Sequence, residues 1–319
     1  MIKTVATNGL FGKGTLPANN TQPKRIPLPI LKQANWGLFQ RQYVIPMQPV
    51  ILKGAATSWT AVKSWTPKYF ATKYKDVQIT PKVNLPDTEV PYVYKDKNYS
   101  QKMTIGEFVE LMQSGNRCYF DQANMNCFED LHNDYNFNKL GAWDVHVTNL
   151  WVGASTCSGL HYDWCDNLLV QIHGTKKAVL VSPEDSSNLY PFADNHTKSQ
   201  VSCENPDIKA HPQVKNVTFM DGFLEPGDVL FIPKGWWHYL KSSESSITLT
   251  CWYGIVQTPM DQFKTIVRMG RPSIWFAFVR DFLWHGVLQR PIEYRLYGQI
   301  TTGQMAYELL TSFLQFWRR

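Results

Sequence analysis

Residues 159 to 167 read GLHYDWCDN and bring one histidine, two aspartates and an asparagine together just ahead of the apolar run LLVQI. If this stretch enters a strand, His161 and Asp163 lie two apart and project from one face. A second histidine, His238, closes EPGDVLFIPKGWWHYL behind two tryptophans. An imidazole buried in such company needs a polar partner or a metal. His161, Asp163 and His238 together are a two-histidine, one-carboxylate set, which holds Fe(II) on one side and leaves coordination positions open for other ligands. Zinc hydrolases use similar donors, with an activated water in the remaining position. A His-x-Asp pair alone recurs by chance, and a wet loop entering a strand is the plain alternative.

Lys176 and Lys177 open KKAVLVSP, a strand whose interior should be dry. A lysine pointing into a barrel needs an anion. A lysine pair at a strand start otherwise reaches back to solvent. Alternation allows only one of the two to face inward.

These residues need a scaffold of strands. VHVTNLWVG (145–153), DNLLVQIHG (166–174), KKAVLVSP (176–183), DVLFIP (228–233), WWHYLKS (236–242) and SITLTCWYG (246–254) are rich in β-branched and aromatic residues, with Gly, Pro or Asp at their ends. Many short strands without interleaved helices predict a mainly β fold, a barrel or double-sheet jelly roll. PVILKG (49–54) predicts a buried strand ahead of it. Thr66 with Pro67, and Thr104 ahead of IGEFVELM, are helix-start signals. Helical periodicity returns after Gly254: residues 274–288 are apolar almost all round, and Met305, Leu309, Phe313 and Trp317 fall on one stripe. The expected organisation is a flexible leader over 1–25, a helix and strand region over 26–116, a β core over 117–254 and a helical extension over 255–319.

Composition sets the outer bounds. The 319 residues are 44% hydrophobic and carry a formal net charge of +6, so a large core is possible and no nucleic-acid patch stands out. Residues 260–319 hold eight basic side chains against four acidic ones. Six cysteines form no CxxC pair, which argues against a structural zinc site or a disulfide scaffold and for a reducing compartment. The N-terminal residues lack the apolar core of a signal peptide, and nowhere do 18 apolar residues run uninterrupted, so a cytoplasmic protein is expected. The sequons at Asn19, Asn98, Asn195 and Asn216 then carry no meaning, because glycosylation requires secretion.

In combination, PVILKG with SWTAVKSWTPKYF, HYD-x3-N-x8-K, ENPD at 204–207, PGDVLFIP-x2-WWH and CWYG resemble the JmjC-type, cupin-fold oxygenases that use Fe(II) and 2-oxoglutarate. The likeness spans about 49–254 and points to the small-hydroxylase branch, with the asparaginyl hydroxylase of hypoxia-inducible factor, the JmjC arginyl hydroxylase and the tRNA wybutosine hydroxylase. It implies a double-stranded β-helix, with His161, Asp163 and His238 as iron ligands. It also implies Lys176 and Tyr119 on the distal carboxylate of 2-oxoglutarate, Ser158 and Asn167 in the same pocket, and Trp252 beside the cosubstrate. Lys177 is then the solvent-facing member of its pair. The reaction implied consumes O2 and 2-oxoglutarate, releases succinate and CO2, and hydroxylates a substrate. Trp164 and Cys165 depart from the polar or small residues usual between the aspartate and Asn167, near the expected substrate mouth, so no substrate transfers. A protein side chain is the first reading, and a lipid or glycolipid head group at a membrane surface the second. A non-catalytic binding cupin, or a hydrolase or isomerase cupin, would not need Lys176. The C-terminal stripe is read as a homodimer or core-packing surface, with Trp275, Phe276, Trp284, Trp317, Arg318 and Arg319 supporting peripheral membrane contact as the rival.

Overall fold

The computed structural model describes residues 22–32, 35–89, 98–290 and 301–316. Its frame is a curled, mostly antiparallel sheet of ten strands in the order β1-β10-β9-β12-β8-β11-β3-β2, with β7 beside β12 and β6 beside β7. The strands are β1 Lys24–Pro27, β2 Ile30–Lys32, β3 Val50–Lys53, β6 Cys118–Asn124, β7 Val145–Cys157 and β8 Asp166–His173. β9 Lys176–Val181, β10 Thr218–Leu224, β11 Val229–Ile232 and β12 Trp237–Tyr253 complete it, and β4 Gln78–Ile79 pairs with β5 Met103–Thr104 apart from it. Helices stand at both ends: α1 Trp36–Phe39, α2 Thr60–Ser64, α3 Pro67–Lys73 and α4 Ile105–Gln113 before the main sheet, and α5 Pro259–Met269, α6 Pro272–Asp281 and α7 Thr301–Phe316 after it. This is the expected cupin or jelly-roll arrangement.

The helix starts follow the local chemistry. Thr66 accepts from the Tyr69 N–H with Pro67 at the first helical position, and Thr104 forms a capping box with Glu107. WWHYLKS and SITLTCWYG, read as two strands, form the single strand β12. Its first residues pair with β9, from Trp237 opposite Val181 to Lys241 opposite Lys177. Its later ones pair with β8 and β7, and the register slips between Ser242 and Ser245. That irregularity turns one strand from one sheet wall into the other. β1, β2, β6 and β10 were not expected as strands; β1 and β10 pair in parallel, as do β2 and β3, and β1 starts inside the stretch read as leader. Of that leader, residues 1–21 lie outside the described residues.

Strand alternation sorts the core into three groups. Leu169 of β8, Ala178 and Leu180 of β9 and Leu230 of β11 pack inside the barrel. Leu168, Val170 and Ile172 of β8, with Leu249 and Cys251 of β12, pack outward among residues of α3 and α4 such as Phe70, Phe108 and Val109. Val179, Val181, Trp237 and Tyr239 pack outward on the other wall, among Ile266, Ile274, Phe278, Ala306 and Leu309 of the C-terminal helices. Both faces of β8 and β9 are therefore buried, which is why they read as continuous apolar runs. Leu309 of the C-terminal stripe belongs to this core, whereas Phe313 is exposed; the Met305 side chain and Trp317 lie outside the described residues.

Asp228, in the PGD turn, ties the front of the barrel together. Its buried carboxylate accepts from the N–H groups of Gly54 (2.9 Å) and Glu225 (2.8 Å), and Lys53 Nζ lies at 2.9 Å. Asp228→Ala removes the buried carboxylate that the Gly54 and Glu225 N–H groups and Lys53 share, so we expect it to lower stability by about 2 kcal/mol. Urea unfolding would show this as a lower midpoint at unchanged slope; an unmoved midpoint would remove Asp228 from this role.

Candidate functional site: a metal centre and a cosubstrate pocket

His161 and Asp163 stand in the segment between β7 and β8, not in the regular strand expected of them. The local chain still alternates: Tyr162, between them, packs into the opposite cluster against Trp237, with ring centroids 4.7 Å apart. His161 and His238 exchange backbone hydrogen bonds of 3.1 and 2.7 Å, and their rings stand 4.2 Å apart. The Asp163 carbonyl accepts from the Gly235 N–H (2.9 Å), which holds this segment against the turn leading into β12. Asp166 strengthens that tie by accepting from the Lys234 N–H at 2.8 Å.

One ligand atom each from His161, Asp163 and His238 lies within 4.8 Å of the others, the separation at which three donors can share an ion. Asp163 Oδ2 is 3.6 Å from His238 Nε2. Each Nδ1 is 3.0 Å from a backbone carbonyl, Gly159 for His161 and Trp236 for His238. A carbonyl can only accept, so Nδ1 carries the proton and Nε2 offers its lone pair to the centre. Burial, then the charges of Lys198 and His238, hold His161 well below the usual imidazole range; burial also lowers His238, with Asp163 opposing. Neutral imidazoles are the form that binds a metal. The donor set therefore fits a divalent ion of the Fe(II) type, with the protein on one side and open positions on the other.

A cavity of about 120 Å³ runs from His161 into the barrel. Lys176 lines it, is 5% exposed, and has its pKa brought down to about 7 by burial. No carboxylate or hydrogen-bond acceptor among the described residues meets its amine. Asn167 shares the wall, and its buried Oδ1 lacks a donor among the described residues. Tyr119 lies on the lining too, held against Trp151 with ring centroids 5.8 Å apart. Tyr119 sits opposite Gly153, where a Cβ would come within 2.6 Å of the Tyr119 ring and the Cys118 carbonyl. Only glycine permits that approach.

Ser158 also lines the cavity, but its hydroxyl is engaged, donating to Gly159 O and accepting from the Leu240 N–H. Trp252 is on the inward face of β12, paired with Asn167 across to β8, but does not line the cavity; its Nε1 is buried without an acceptor among the described residues. Lys177 points to the opposite face, as alternation requires, yet is not simply solvent-facing: it holds Glu204 of ENPD at 2.6 Å, and Lys241 holds the other oxygen of Glu204 at 2.7 Å. Thr248, Thr250, Trp151 and Lys198 also line the cavity and were not singled out. For the two threonines the signal was available, since they alternate with Trp252 along SITLTCWYG.

A curled cupin barrel with a His-Asp-His group inside it defines the class, and a family model described as a cupin-like domain matches residues 36–258. The chain belongs to this cupin-like, JmjC-type family, whose enzymes use Fe(II) and 2-oxoglutarate. It is 31% identical over 230 residues to lysine-specific demethylase 8 of Xenopus tropicalis, an overlap covering 67% of this chain and 50% of that one. Its likeness to lysine-specific demethylase 8 of Danio rerio is 33% over 232 residues, covering 67% and 55%. With tRNA wybutosine-synthesizing protein 5 of Danio rerio it shares 26% over 238 residues, covering 67% and 71%. The chain thus spans about half the length of the two demethylase relatives.

Removing one of three ligands should lose the metal without losing the barrel. We expect His238→Ala and Asp163→Ala to cut Fe(II) or Mn(II) binding at least about tenfold in equilibrium dialysis, with far-ultraviolet circular dichroism unchanged. Wild-type stoichiometry and affinity in either variant would remove that residue from the centre.

Proposed function

We propose that this protein is an Fe(II)- and 2-oxoglutarate-dependent dioxygenase that hydroxylates a protein side chain, with release of succinate and CO2. The observation that carries the reading is Lys176, whose buried amine lines the cavity that reaches His161 and meets no anion among the described residues. A binding cupin, or a hydrolase cupin, has no use for it. Bound iron would supply the activation of O2 coupled to oxidative decarboxylation of 2-oxoglutarate. His161, Asp163 and His238 would hold the ion. Lys176 would hold the distal carboxylate of the cosubstrate in a charge-assisted pair, with Tyr119 and Asn167 contributing polar contacts from the same wall. Ser158 fixes the start of the ligand-bearing segment, and Trp252 backs Asn167. Leu169 and Leu240 line the pocket and keep water from it. Removal of a methyl group from lysine, which the demethylase relatives' name describes, would begin with hydroxylation of the methyl carbon and needs the same centre.

Supply of O2, 2-oxoglutarate and Fe(II) should yield succinate, and mass spectrometry of candidate substrates should show a gain of about 16 Da, one oxygen. Lys176→Ala should raise the 2-oxoglutarate requirement at least about tenfold and Lys177→Ala less than about twofold, because the two face opposite ways. Above pH 7 the empty pocket holds a neutral Lys176, so binding the carboxylate takes up a proton and weakens as pH rises; below pH 7 the ammonium is already present. Calorimetry at pH 8 in buffers of different ionisation heat should detect that proton in the wild type and not in Lys176→Ala. Equal effects of the two alanines would sink the pocket assignment.

For the C-terminal extension we propose a second copy of this chain as partner. Leu309 is taken up by the core, so the accessible apolar row is Phe276, Val279, Leu283 and Val287, which are 72, 51, 53 and 55% exposed and follow helical spacing. Among the described residues no helix is long and apolar enough to cross a membrane. Phe276→Glu with Leu283→Glu should turn a dimer into a folded monomer in sedimentation velocity. A monomeric wild type that floats with anionic liposomes would instead favour a membrane surface and a lipid or glycolipid substrate. Cytoplasmic placement belongs to the same proposal, supported by the free thiols of Cys118, Cys157, Cys165, Cys203 and Cys251.

A further inference from the structure

His161 stands outside the regular strands, and its backbone has a neighbour on each side: His238 at the start of β12, and Lys198 on the other flank. The second neighbour belongs to a hairpin over 191–199. Phe192 N–H donates to Lys198 O and Lys198 N–H to Asn195 O, each at 3.0 Å, and Pro191 is bridged to Ser199. Thr197 Oγ1 donates to Asn195 Oδ1 at 2.7 Å and closes the tip. The returning arm then runs antiparallel to 160–162, with Tyr162 N–H donating to Thr197 O (3.1 Å) and Ser199 N–H to Leu160 O (2.9 Å). One flank of His161 is thus the sheet itself, and the other is this hairpin.

The tip of the hairpin is tied to the C-terminal extension. Arg280 of α6 donates through Nη2 to Asp194 Oδ1 at 2.6 Å and through Nε to Asp281 Oδ1 at 2.7 Å. Asp281 is wholly buried, and a buried carboxylate demands a cation, so the Nε side of the guanidinium is committed. The fork is rigid and planar, and fixing Nε fixes where Nη2 points. A partly exposed ion pair ordinarily contributes little, because side chains must be ordered to form it. Here Asp281 has already ordered the guanidinium, and Asp194 meets a preset donor. Loss of Asp194 or of the fork releases the tip, and the arm beside His161 with it.

We infer that Arg280 is a positioning residue for the metal centre, acting through Asp194 and the hairpin to hold the backbone of His161 against β12. The role rests on the proposed metal centre and adds to it a part for the C-terminal extension. The Co(II)-substituted protein tests it, because visible ligand-field bands report ligand geometry without any turnover. Asp194→Ala leaves the pair of Arg280 with Asp281 intact, and Arg280→Lys keeps a cation beside Asp281 but loses the fork. Each should weaken Co(II) about tenfold and shift the bands, with far-ultraviolet circular dichroism unchanged. Asp221→Ala is the comparison: Arg25 and Asp221 form a pair of the same closest approach, 2.6 Å, and the same side-chain exposure, 34 and 25%, outside the hairpin. It should lower the thermal midpoint at least as much as Asp194→Ala and leave Co(II) binding and bands as in the wild type. Wild-type affinity and bands in either folded variant of the Arg280 pair, or an equal change in Asp221→Ala, would overturn the inference. A wild-type protein that binds no Co(II) would overturn the metal centre itself, and the positioning role with it.

Discussion

Two backbone hydrogen bonds between His161 and His238, 77 positions apart in the chain, hold the site together. They bring the turn leading into β12, and the first residues of that strand, against the segment that follows β7, and the spacing of the two imidazoles follows from that pairing. Asp163 falls into place because its own carbonyl is caught by Gly235, at the start of the same turn. The ring orientations come next, since each Nδ1 is committed to a carbonyl two residues away along its own chain. Local main-chain geometry thus sets the tautomers, and long-range pairing sets the separation.

A dry interior is the second requirement. β8 and β9 present apolar residues to both faces because helices cover the sheet on either side, the N-terminal group over one wall and the C-terminal group over the other. That cover keeps water from the cavity except through its opening, and it is what lowers the Lys176 amine. Lys177, one residue on, shows what the same side chain does on the other face: it pairs with Glu204 and stays within reach of solvent. The difference between a buried amine lining the cavity and a surface ion pair is one step of strand alternation.

The C-terminal helices are therefore part of the scaffold of the site as well as a surface. Ile266, Ile274, Phe278 and Leu309 back the wall that carries Trp237 and Tyr239, so the outward neighbours of His238 are fixed by residues beyond the barrel. Their outer face remains apolar at Phe276, Val279 and Leu283. The inner face of this nearly all-apolar helix meets the barrel.

Much of this was legible in the residues themselves. Short β-rich segments with Gly and Pro boundaries identified the core strands, because backbone preference and turn chemistry are local. Thr66 and Thr104 marked their helices for the same reason, and HYD, Lys176 and WWH pointed to a metal and an anion because such groups are costly to bury without partners. The sequence could not show that WWHYLKS and SITLTCWYG are one bent strand, since the bend depends on which neighbours each half meets. β1 and β10 stayed hidden because β1 is short and polar-edged and their parallel pairing joins residues nearly 200 positions apart. Lys198 was unreadable for a similar reason: nothing in NHTKSQ suggests a metal site until the fold lays that segment beside His161. The amino-acid sequence by itself determined which side chains could carry the chemistry, through their types and local alternation; tertiary structure alone decided which of them meet, because register between distant strands is set by the packing of the whole barrel.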